Sequence, residues 1–296
     1  MTTEVSTINT SNFSAMAQAM GMGADMAKAP SKSSTLPRLR IWNKPVMGQV
    51  EVKGKMKNME VVSSGSYRLQ LPDDKYVYAE SIEIRVFLQR FMYKRYDSSD
   101  NTYVKTIMGE DLNGDMKDNI GTFNCGKPPG YIQDFASLPE EKKKFFKTIK
   151  RVRVLLGEVR LVNAVDESGE AITSDTVHSF IWEIDNAEAF RTMGEPFTKL
   201  GKNKRLPIQH WIQCSSTRGG EGNTAIEYYV PSYKLDISST VEITDADQEK
   251  FQNFIEWIGN YNEYIVESHN EKLSKQISEE DAALVDEFID IEEDQG

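Results

Sequence analysis

The side chains in this sequence best suited to chemistry are basic residues interleaved with aromatic ones. The segments IWNKPVMGQVEVKGKMK (41–57) and VFLQRFMYKRY (86–96) both place Trp, Phe or Tyr among Lys and Arg. Cations neutralise phosphate groups, and flat rings stack under unpaired bases for about 1–3 kcal/mol each. The pattern therefore predicts contact with a single-stranded nucleic acid.

Five aromatic residues and ten basic residues are the candidates for this contact. The candidate stacking side chains are Trp42, Phe87, Phe91, Tyr93 and Tyr96. The candidate phosphate ligands are Lys53, Lys55, Lys57, Arg85, Arg90, Lys94, Arg95, Arg151, Arg153 and Arg160. Residues 142–160 hold eight basic residues and one acidic one, and GKNKR (201–205) adds three more cations. Strand aromatics are also common core residues and lysines common surface residues, so a purely structural role stays open.

The C-terminal segment SEEDAALVDEFIDIEEDQG (278–296) has the opposite character, with nine acidic residues and no basic one. Like charges repel one another and contribute little to a fold, so this segment is expected to act on partners outside it. The predicted partner-binding residues are Asp286, Glu287, Phe288, Ile289, Asp290 and Ile291. Without the segment, 37 of the 46 acidic residues remain against 35 basic ones, so the net charge of −11 becomes −2. A nearly neutral body with basic stretches is compatible with a polyanionic ligand.

Catalytic patterns are few in this sequence. DLNGDMKDN (111–119) begins like a calcium loop but lacks the required Gly and bidentate Glu. Four side chains could supply zinc ligands, although no C-x-x-C pair supports such a site: Cys125, His178, His210 and Cys214. We therefore expect a protein without enzymatic activity and without a cofactor or metal. The alternative enzyme is a metal-dependent nuclease with carboxylates from Glu110, Asp111 and Asp115.

Strands must position most of the candidate residues. Alternation predicts strands at 81–96, 151–162, 177–184, 206–214 and 224–230. In the first of these, Ile82, Ile84, Val86 and Leu88 form one face, and the candidate residues Arg85, Phe87, Phe91, Tyr93 and Arg95 lie on the other. The alternation slips at Gly157, which indicates a bulge or sharp bend.

Helices are predicted at 138–150, 186–193 and 245–276. The third has the strongest signals, because Thr244 and Asp247 have capping spacing and apolar residues follow at helical intervals. No apolar run approaches the roughly 20 residues that cross a bilayer, and the N-terminus lacks a signal-peptide pattern. With only two cysteines, these features predict a cytoplasmic protein without membrane contact, in the host cytoplasm if the protein is viral.

Three segments together resemble the single-stranded DNA-binding proteins of bacteriophages: the strands RVRVLLGEVRLV and VFLQRFMYKRY and the ending DEFIDIEEDQG. The resemblance is one of layout over residues 36–296. It implies an OB-fold, a small closed β-barrel whose face binds nucleic acid. It also implies that the acidic tail docks on replication and recombination proteins and occupies the DNA groove when DNA is absent. The tail lacks the terminal aromatic residue common in several such families, and Phe288 is the substitute docking residue.

On this resemblance we expect a mainly β protein (a β-rich α+β fold) with four parts. These are a flexible N-terminal arm (1–35), an OB-like curved barrel with insertions (36–243), a helix packed on it (244–277) and a disordered acidic tail (278–296). The expected function is to bind and protect single-stranded DNA without sequence specificity and to recruit replication and recombination proteins. The alternative is a virion structural or assembly protein whose Met-rich arm makes subunit contacts. The choice between DNA and RNA stays open, as does the oligomeric state, including a homo-oligomer.

Overall fold

The computed structural model describes residues 36–129, 132–172, 176–219 and 228–293, with the backbone alone for residues 277–293. The described residues belong to one compact unit that begins at Leu36. The predicted arm, residues 1–35, lies outside the described ranges. The unit is mainly β and ends in a long helix, as the sequence predicts.

The strands, numbered along the chain, are β1 (Arg38–Ile41), β2 (Val46–Val52), β3 (Lys55–Val62), β4 (Tyr67–Gln70), β5 (Tyr76–Ala79), β6 (Ser81–Asp97), β7 (Thr102–Lys105), β8 (Lys150–Val162), β9 (His178–Ile184), β10 (Ile212–Arg218) and β11 (Tyr229–Leu235). The helices are α1 (Glu140–Thr148), α2 (Ala187–Thr192), α3 (Glu195–Lys202) and α4 (Asp245–Glu293). The predicted strands at 81–96, 151–162 and 177–184 are confirmed as β6, β8 and β9. The strand predicted at 206–214 starts only at Ile212, because Pro207 opens a short 3-10 turn before it. Of the segment 224–230, residues 224–227 lie outside the described ranges.

One large mixed sheet carries most of the strands, in the order β11-β10-β6-β8-β9-β1-β4-β5, with β7 paired to the far end of β6. All of its pairs are antiparallel except that of β1 with β9. A separate hairpin, β2–β3, carries Lys53 in its turn and Lys55 and Lys57 on its second strand.

The sheet curls but does not close into a barrel within the described residues, which differs from the expected closed barrel. Side chains bridge the gap instead: Tyr67 Oη of β4 donates to the carbonyl of Ser215 of β10 at 3.0 Å, and the hydroxyls of Ser64, just before β4, and Tyr229 of β11 are 2.9 Å apart. A physical reason lies in β11, where Pro231 has no N–H for a ladder bond and favours an edge position.

A β-bulge divides β6 into two parts. Val86 pairs with Gly157 and Leu88 with Leu156, so Phe87 is the extra residue. The irregularity predicted at Gly157 is therefore present, but the extra residue belongs to β6 and lies beside the pair of Val86 with Gly157. Gly157 is required because a Cβ there would lie 2.1 Å from the carbonyl oxygen of Arg85.

The two faces of the sheet each pack against a different core. The inner face carries the larger core, which includes Ile84, Leu155 and Trp182. The outer face is covered by α4, where Phe254 and Ile258 pack on Met92 and Val154. Because of the bulge, Val86 belongs to the inner core and Leu88 to the outer one, although they are two residues apart.

A buried ion-pair cluster fixes the start of α4 to the outer face. Arg85 donates to both carboxylate oxygens of Asp247, at 2.8 and 2.9 Å, and lies 3.4 Å from Glu158. Lys250 of α4 also bonds to Glu158. Burial opposes ionisation of Asp247, but hydrogen bonds from Arg85 and Thr244 outweigh it and lower the pKa of Asp247 to about 2. The predicted cap is confirmed, since the backbone N–H of Thr244 donates to Asp247 at 2.9 Å.

Helix α4 continues past the predicted boundary at residue 277. Its 49 residues correspond to about 74 Å at 1.5 Å per residue. The backbone is helical through most of the segment predicted as a disordered tail, and the side chains of that segment lie outside the described part. The extension has a reason in the sequence: Ala, Leu and Glu favour helix, and Leu284, Val285, Phe288 and Ile289 recur at helical spacing.

Asp247→Asn is expected to lower the free energy of unfolding by about 3–5 kcal/mol at pH 7, because it leaves the Arg85 charge buried with a weakened partner. The Asp247 carboxylate contributes stability above its unfolded pKa of about 3.9, and this contribution is lost as the pH falls through about 2. Urea unfolding at pH 7 and pH 3 measures both effects. As a control, Asp73→Asn at the exposed Lys75 pair should change little; equal effects of the two substitutions would contradict this account.

Candidate nucleic-acid interface

Beyond the bulge, the inner face of β6 and β8 forms the floor of a groove of about 890 Å³. We call it the inner groove; it is lined by Gln89, Arg151, Arg153, Phe190, Arg191, Phe197, Lys199 and Lys202. Cross-strand pairing places Phe91 opposite Arg153 and Tyr93 opposite Arg151. Rings and cations are therefore neighbours on these two strands, although of these four side chains only Arg151 and Arg153 line the groove.

Helices α2 and α3 form one wall of the inner groove. The side chain of Asn186 caps α2 by accepting from the backbone N–H groups of Glu188 and Ala189, at 2.9 and 3.0 Å. Pro196 lies in the first turn of α3, where a proline is favourable. The two short helices contribute Phe190, Arg191, Phe197, Lys199 and Lys202 to the lining.

Arg153 is the central residue of this groove. It is only 8% exposed, and its guanidinium lies 4.6 Å from the ring centroid of Phe190, 5.1 Å from that of Phe91 and 5.9 Å from that of Phe197. It donates to two neutral oxygens, the carbonyl of Phe190 at 3.1 Å and the side chain of Gln89. Burial lowers the pKa of Arg153 to about 10, so it is still charged at pH 7. Since it forms no ion pair within the described residues, a bound phosphate would compensate this buried charge.

The groove continues past Arg151 towards α1. This second part, of about 530 Å³, shares Arg151 and is lined by Lys127, Phe135, Phe146 and Lys147 as well as Tyr93. Lys127 Nζ lies 5.3 Å from the ring centroid of Tyr93. Burial and the nearby Arg151 charge lower the pKa of Lys127. Cations thus crowd together along the floor, which favours an anionic ligand.

Positive charge dominates the inner groove. Five cations line it against one carboxylate, Glu195, which already accepts a hydrogen bond from Tyr233 at 3.1 Å. A cleft lined by one sign of charge concentrates ligands of the other sign.

The five predicted stacking residues lie in different places. Phe91 is half-buried beside the inner groove: it does not line the groove itself, but its ring centroid is 6.0 Å from that of Phe190, which does. Phe87 is buried against Phe254 of α4, and Tyr93 is buried with its hydroxyl donating to Leu112. Phe87 therefore offers no face to a base, because the bulge turns it to the outer face. Tyr93 packs in a small core of its own and is 2% exposed, although it lies at the edge of the second part of the groove. Trp42 lies on the outer face against Arg68, and Tyr96 is exposed at the end of β6 beside Tyr103.

Only two of the predicted phosphate ligands, Arg151 and Arg153, line the inner groove. Arg85 belongs to the buried cluster with Asp247, which corrects its assignment as a phosphate ligand. Three of the others form ion pairs with nearby carboxylates: Lys94 with Glu183, Arg95 with Asp97 and Arg160 with Glu83. Arg90 donates to the backbone carbonyl of Gln89. The remaining three, Lys53, Lys55 and Lys57, are exposed on the hairpin. The side chains of the predicted partner-binding segment, 286–291, lie outside the described part.

Sequence reasoning missed the residues of the groove wall. Phe190, Arg191, Phe197 and Lys199 interleave rings and cations just as the strands do, over 190–199. A search for rings and cations at helical spacing would have identified these residues as candidates, since the sequence predicts a helix at 186–193.

The candidate metal and nuclease residues do not assemble into a site. In the part of the chain that the structure describes, His, Cys, Asp and Glu side chains nowhere form a group of three or more that could hold a metal ion. The four potential zinc ligands and the three nuclease carboxylates are all within that part. Burial raises the pKa of Cys125 and Cys214 to about 12, so both thiols are protonated at neutral pH.

Comparison of the chain with protein-family models, with curated proteins and with solved structures gives no match. Among the helices of the described ranges, none has the length and apolar composition that crossing a bilayer requires. The functional assignment therefore depends on the groove itself.

Gly194→Ala is expected to displace the Arg153 guanidinium, because the added Cβ would lie 2.6 Å from Arg153 Nη2. Gly194 has a φ of −82°, which alanine adopts without strain, so the thermal midpoint should change little. The measurement is the NMR resonance of the Arg153 Nε–H group. Gly201→Ala on α3 is the control, since nothing lies within 4 Å of its added Cβ. An unchanged Arg153 resonance in Gly194→Ala would contradict the described packing.

Proposed function

We propose that this protein binds single-stranded DNA without sequence specificity and has no enzymatic activity. In this proposal the strand lies in the inner groove, with phosphates on Arg151, Arg153, Arg191, Lys199 and Lys202 and bases against Phe91, Phe190 and Phe197. The single observation that carries the proposal is the buried Arg153, a cation without an ion-pair partner in the described residues, between the rings of Phe91 and Phe190.

The half-buried rings favour a single strand over a duplex. A half-buried ring beside a groove can stack only on a base that is not already stacked in a helix. Duplex phosphates could contact the same cations, but duplex bases would not reach Phe91.

The amides of the inner groove argue against sequence readout. Gln89 accepts from Arg153, and Asn203 donates to the carbonyl of Lys199 at 2.8 Å. Amide side chains are the usual readers of base edges, and these two are engaged within the protein. Cations and rings tolerate any base.

We further propose that the curled sheet is an OB-like barrel that remains partly open. An OB-type barrel need not close completely to bind an oligonucleotide on one face. The large sheet supports this reading through its curl, its bulged long strand β6 and the single parallel pair of β1 with β9. The hairpin β2–β3 and residues 98–149 are then insertions.

The acidic segment completes the proposed function. Its residues 286–291 would dock on replication and recombination proteins, through the apolar side chains Phe288, Ile289 and Ile291 flanked by carboxylates. Its negative charge would also compete with DNA for the inner groove.

Phe91→Ala and Arg151→Gln are expected to weaken binding of a fluorescent oligothymidylate. Loss of one stacked base costs about 1–3 kcal/mol, so Phe91→Ala should raise the Kd at least about fivefold. Loss of one phosphate contact should reduce the slope of log K against log salt by about 0.7 for Arg151→Gln. Fluorescence anisotropy at several salt concentrations measures both, with a duplex of the same length for comparison.

Tyr264→Ala is the matched control, because Tyr264 is 63% exposed on α4 and distant in sequence from the groove strands. It should bind as the unaltered protein does. The proposal fails if the unaltered protein prefers the duplex, or if Phe91→Ala binds normally while its thermal midpoint is unchanged.

Deleting residues 278–296 is expected to tighten binding to single-stranded DNA at low salt, because it removes nine carboxylates that compete for the same cations. The gain should vanish as salt rises. The variant Phe288→Ala/Ile289→Ala keeps the charge and should leave DNA affinity unchanged. Unaltered or weaker binding after the deletion would contradict the competition.

The second candidate function is assembly in a virion, and the exposed part of α4 favours it. Residues 271–276 are all exposed, so the helix carries surface beyond His269, the last buried residue among its described side chains, that a neighbouring subunit could cover. Sedimentation without DNA separates the two functions: a large closed assembly supports a virion protein, and a monomer or small oligomer supports the DNA-binding proposal.

A further inference from the structure

The outer face of the sheet carries a second groove that the proposed function does not use. It has a volume of about 560 Å³. We call it the outer groove and define it by Arg38, Arg40, Trp42, Lys44, Lys94 and Lys105. Strand alternation separates it from the inner groove, since Leu39 and Ile41 of β1 pack in the inner core and Arg38 and Arg40 lie on the opposite face.

Positive charge exceeds negative charge in the outer groove. Its two carboxylates are engaged by lysines: Glu183 lies 3.2 Å from Lys94 and 3.1 Å from Lys105, and Asp185 lies 3.9 Å from Lys94. Within the described residues, Arg38 and Arg40 form no ion pair, although both are exposed and close to the groove floor.

Like charges are also placed directly opposite one another here. Arg40 of β1 pairs with Arg68 of β4, an arrangement that destabilises a sheet unless an anion lies nearby. Arg68 is buried, and no described residue offers its Nε a hydrogen-bond partner. Although Arg40 is exposed, the surrounding protein still removes part of its hydration. This desolvation first, and then the charges of Arg68 and Arg38, lower the pKa of Arg40.

Aromatic rings accompany these cations. The Arg68 guanidinium lies 3.6 Å from the ring centroid of Trp42 and 4.6 Å from that of Tyr76. Lys94 Nζ lies 4.7 Å from the ring centroid of Tyr103, which also lines the groove. An acidic peptide would need only the cations, whereas cations together with rings suit phosphates and bases.

A row of lysines connects the two grooves around the end of the sheet. Lys150, Lys94 and Lys105 stand side by side on β8, β6 and β7. Arg151 follows Lys150 directly in β8 and lies on the other face, in the inner groove. The adjacent residues Lys150 and Arg151 of β8 therefore connect the cations of the outer groove with those of the inner groove.

We propose that the outer groove binds a second segment of the same single strand, which leaves the inner groove at Arg151, crosses the end of β8 at Lys150 and continues to Arg40 and Trp42. This inference rests on the proposed function, because it assumes that the inner groove holds the first segment. The strand would thus wrap around the sheet end, and the occluded length would exceed what the inner groove covers.

Oligothymidylates of about 8 and about 16 nucleotides test the proposal, since single OB folds cover about 4–16 nucleotides. Arg38→Gln/Arg40→Gln removes two exposed charges without opening a cavity. For the longer oligonucleotide, the slope of log K against log salt should fall by about 1.4, or 0.7 for each lost contact. Trp42→Ala should weaken the longer complex at least about fivefold. Neither variant should change binding of the shorter oligonucleotide.

Lys75→Gln/Lys272→Gln is the matched control, because it removes two exposed charges that line neither groove and should affect neither oligonucleotide. Equal losses for both lengths, or no loss for either, would overturn the wrapping proposal while leaving the inner groove intact. A change in sedimentation of the DNA-free arginine variant, with normal DNA binding, would overturn it in favour of an acidic protein segment as the occupant. Failure of the unaltered protein to bind either oligonucleotide would overturn the proposed function as well.

Discussion

One extra residue in β6 determines which side chains this protein buries and which it presents. Without the bulge at Phe87, strict alternation would keep Val86 and Leu88 on one face, and Phe87 and Phe91 together on the other. With the bulge, Phe87 packs under α4, and Phe91 lies on the opposite face beside Phe190 of the inner groove. The constraint is backbone contact: Gly157 approaches Arg85 so closely that no side chain fits between them. The inner core and the groove floor can then share the same two strands.

Two arginines show how burial separates structural from functional charge. Arg85 and Arg153 are both buried on the paired strands β6 and β8. Arg85 meets two carboxylates and an additional carbonyl, so its charge is compensated inside the fold and fixes α4. Arg153 meets only neutral oxygens and rings, so no carboxylate of the described residues pairs with its charge. A charge of the second kind costs stability, and a phosphate ligand gives a physical reason for retaining it.

Much of the fold could be predicted from the sequence, because its signals are local. Alternation gave β6, β8 and β9 almost to the residue, and the spacing of Thr244 and Asp247 gave the start of α4. The partner of Asp247 could not be predicted, since Arg85 lies 162 residues away along the chain. The candidate site was predicted only in part. Of the candidate residues, Arg151 and Arg153 line the inner groove and Phe91 lies beside it. Phe190 and Phe197 come from helices, and the inner groove forms only when these helices pack on β8.

The same limits explain the errors. Phe87 and Tyr93 have the residue type and face expected of stacking platforms, and only the bulge and the packing of residues 104–125 decide that they are buried. Arg38 and Arg40 were not predicted as phosphate ligands, because one ring and two arginines in the segment 36–42 are not a distinctive pattern. The concentration of positive charge around them depends on Arg68, which lies opposite Arg40 only after β1 and β4 pair.

The central claim is that exposed bases contact the rings beside Arg153. Ultraviolet cross-linking of the unaltered protein to an oligothymidylate, followed by mass spectrometry of the attached peptides, tests it most directly. The account predicts cross-links at Phe91 and in the peptide that carries Phe190 and Phe197. Cross-links confined to exposed rings away from both grooves, such as Phe123 and Tyr264, would contradict it.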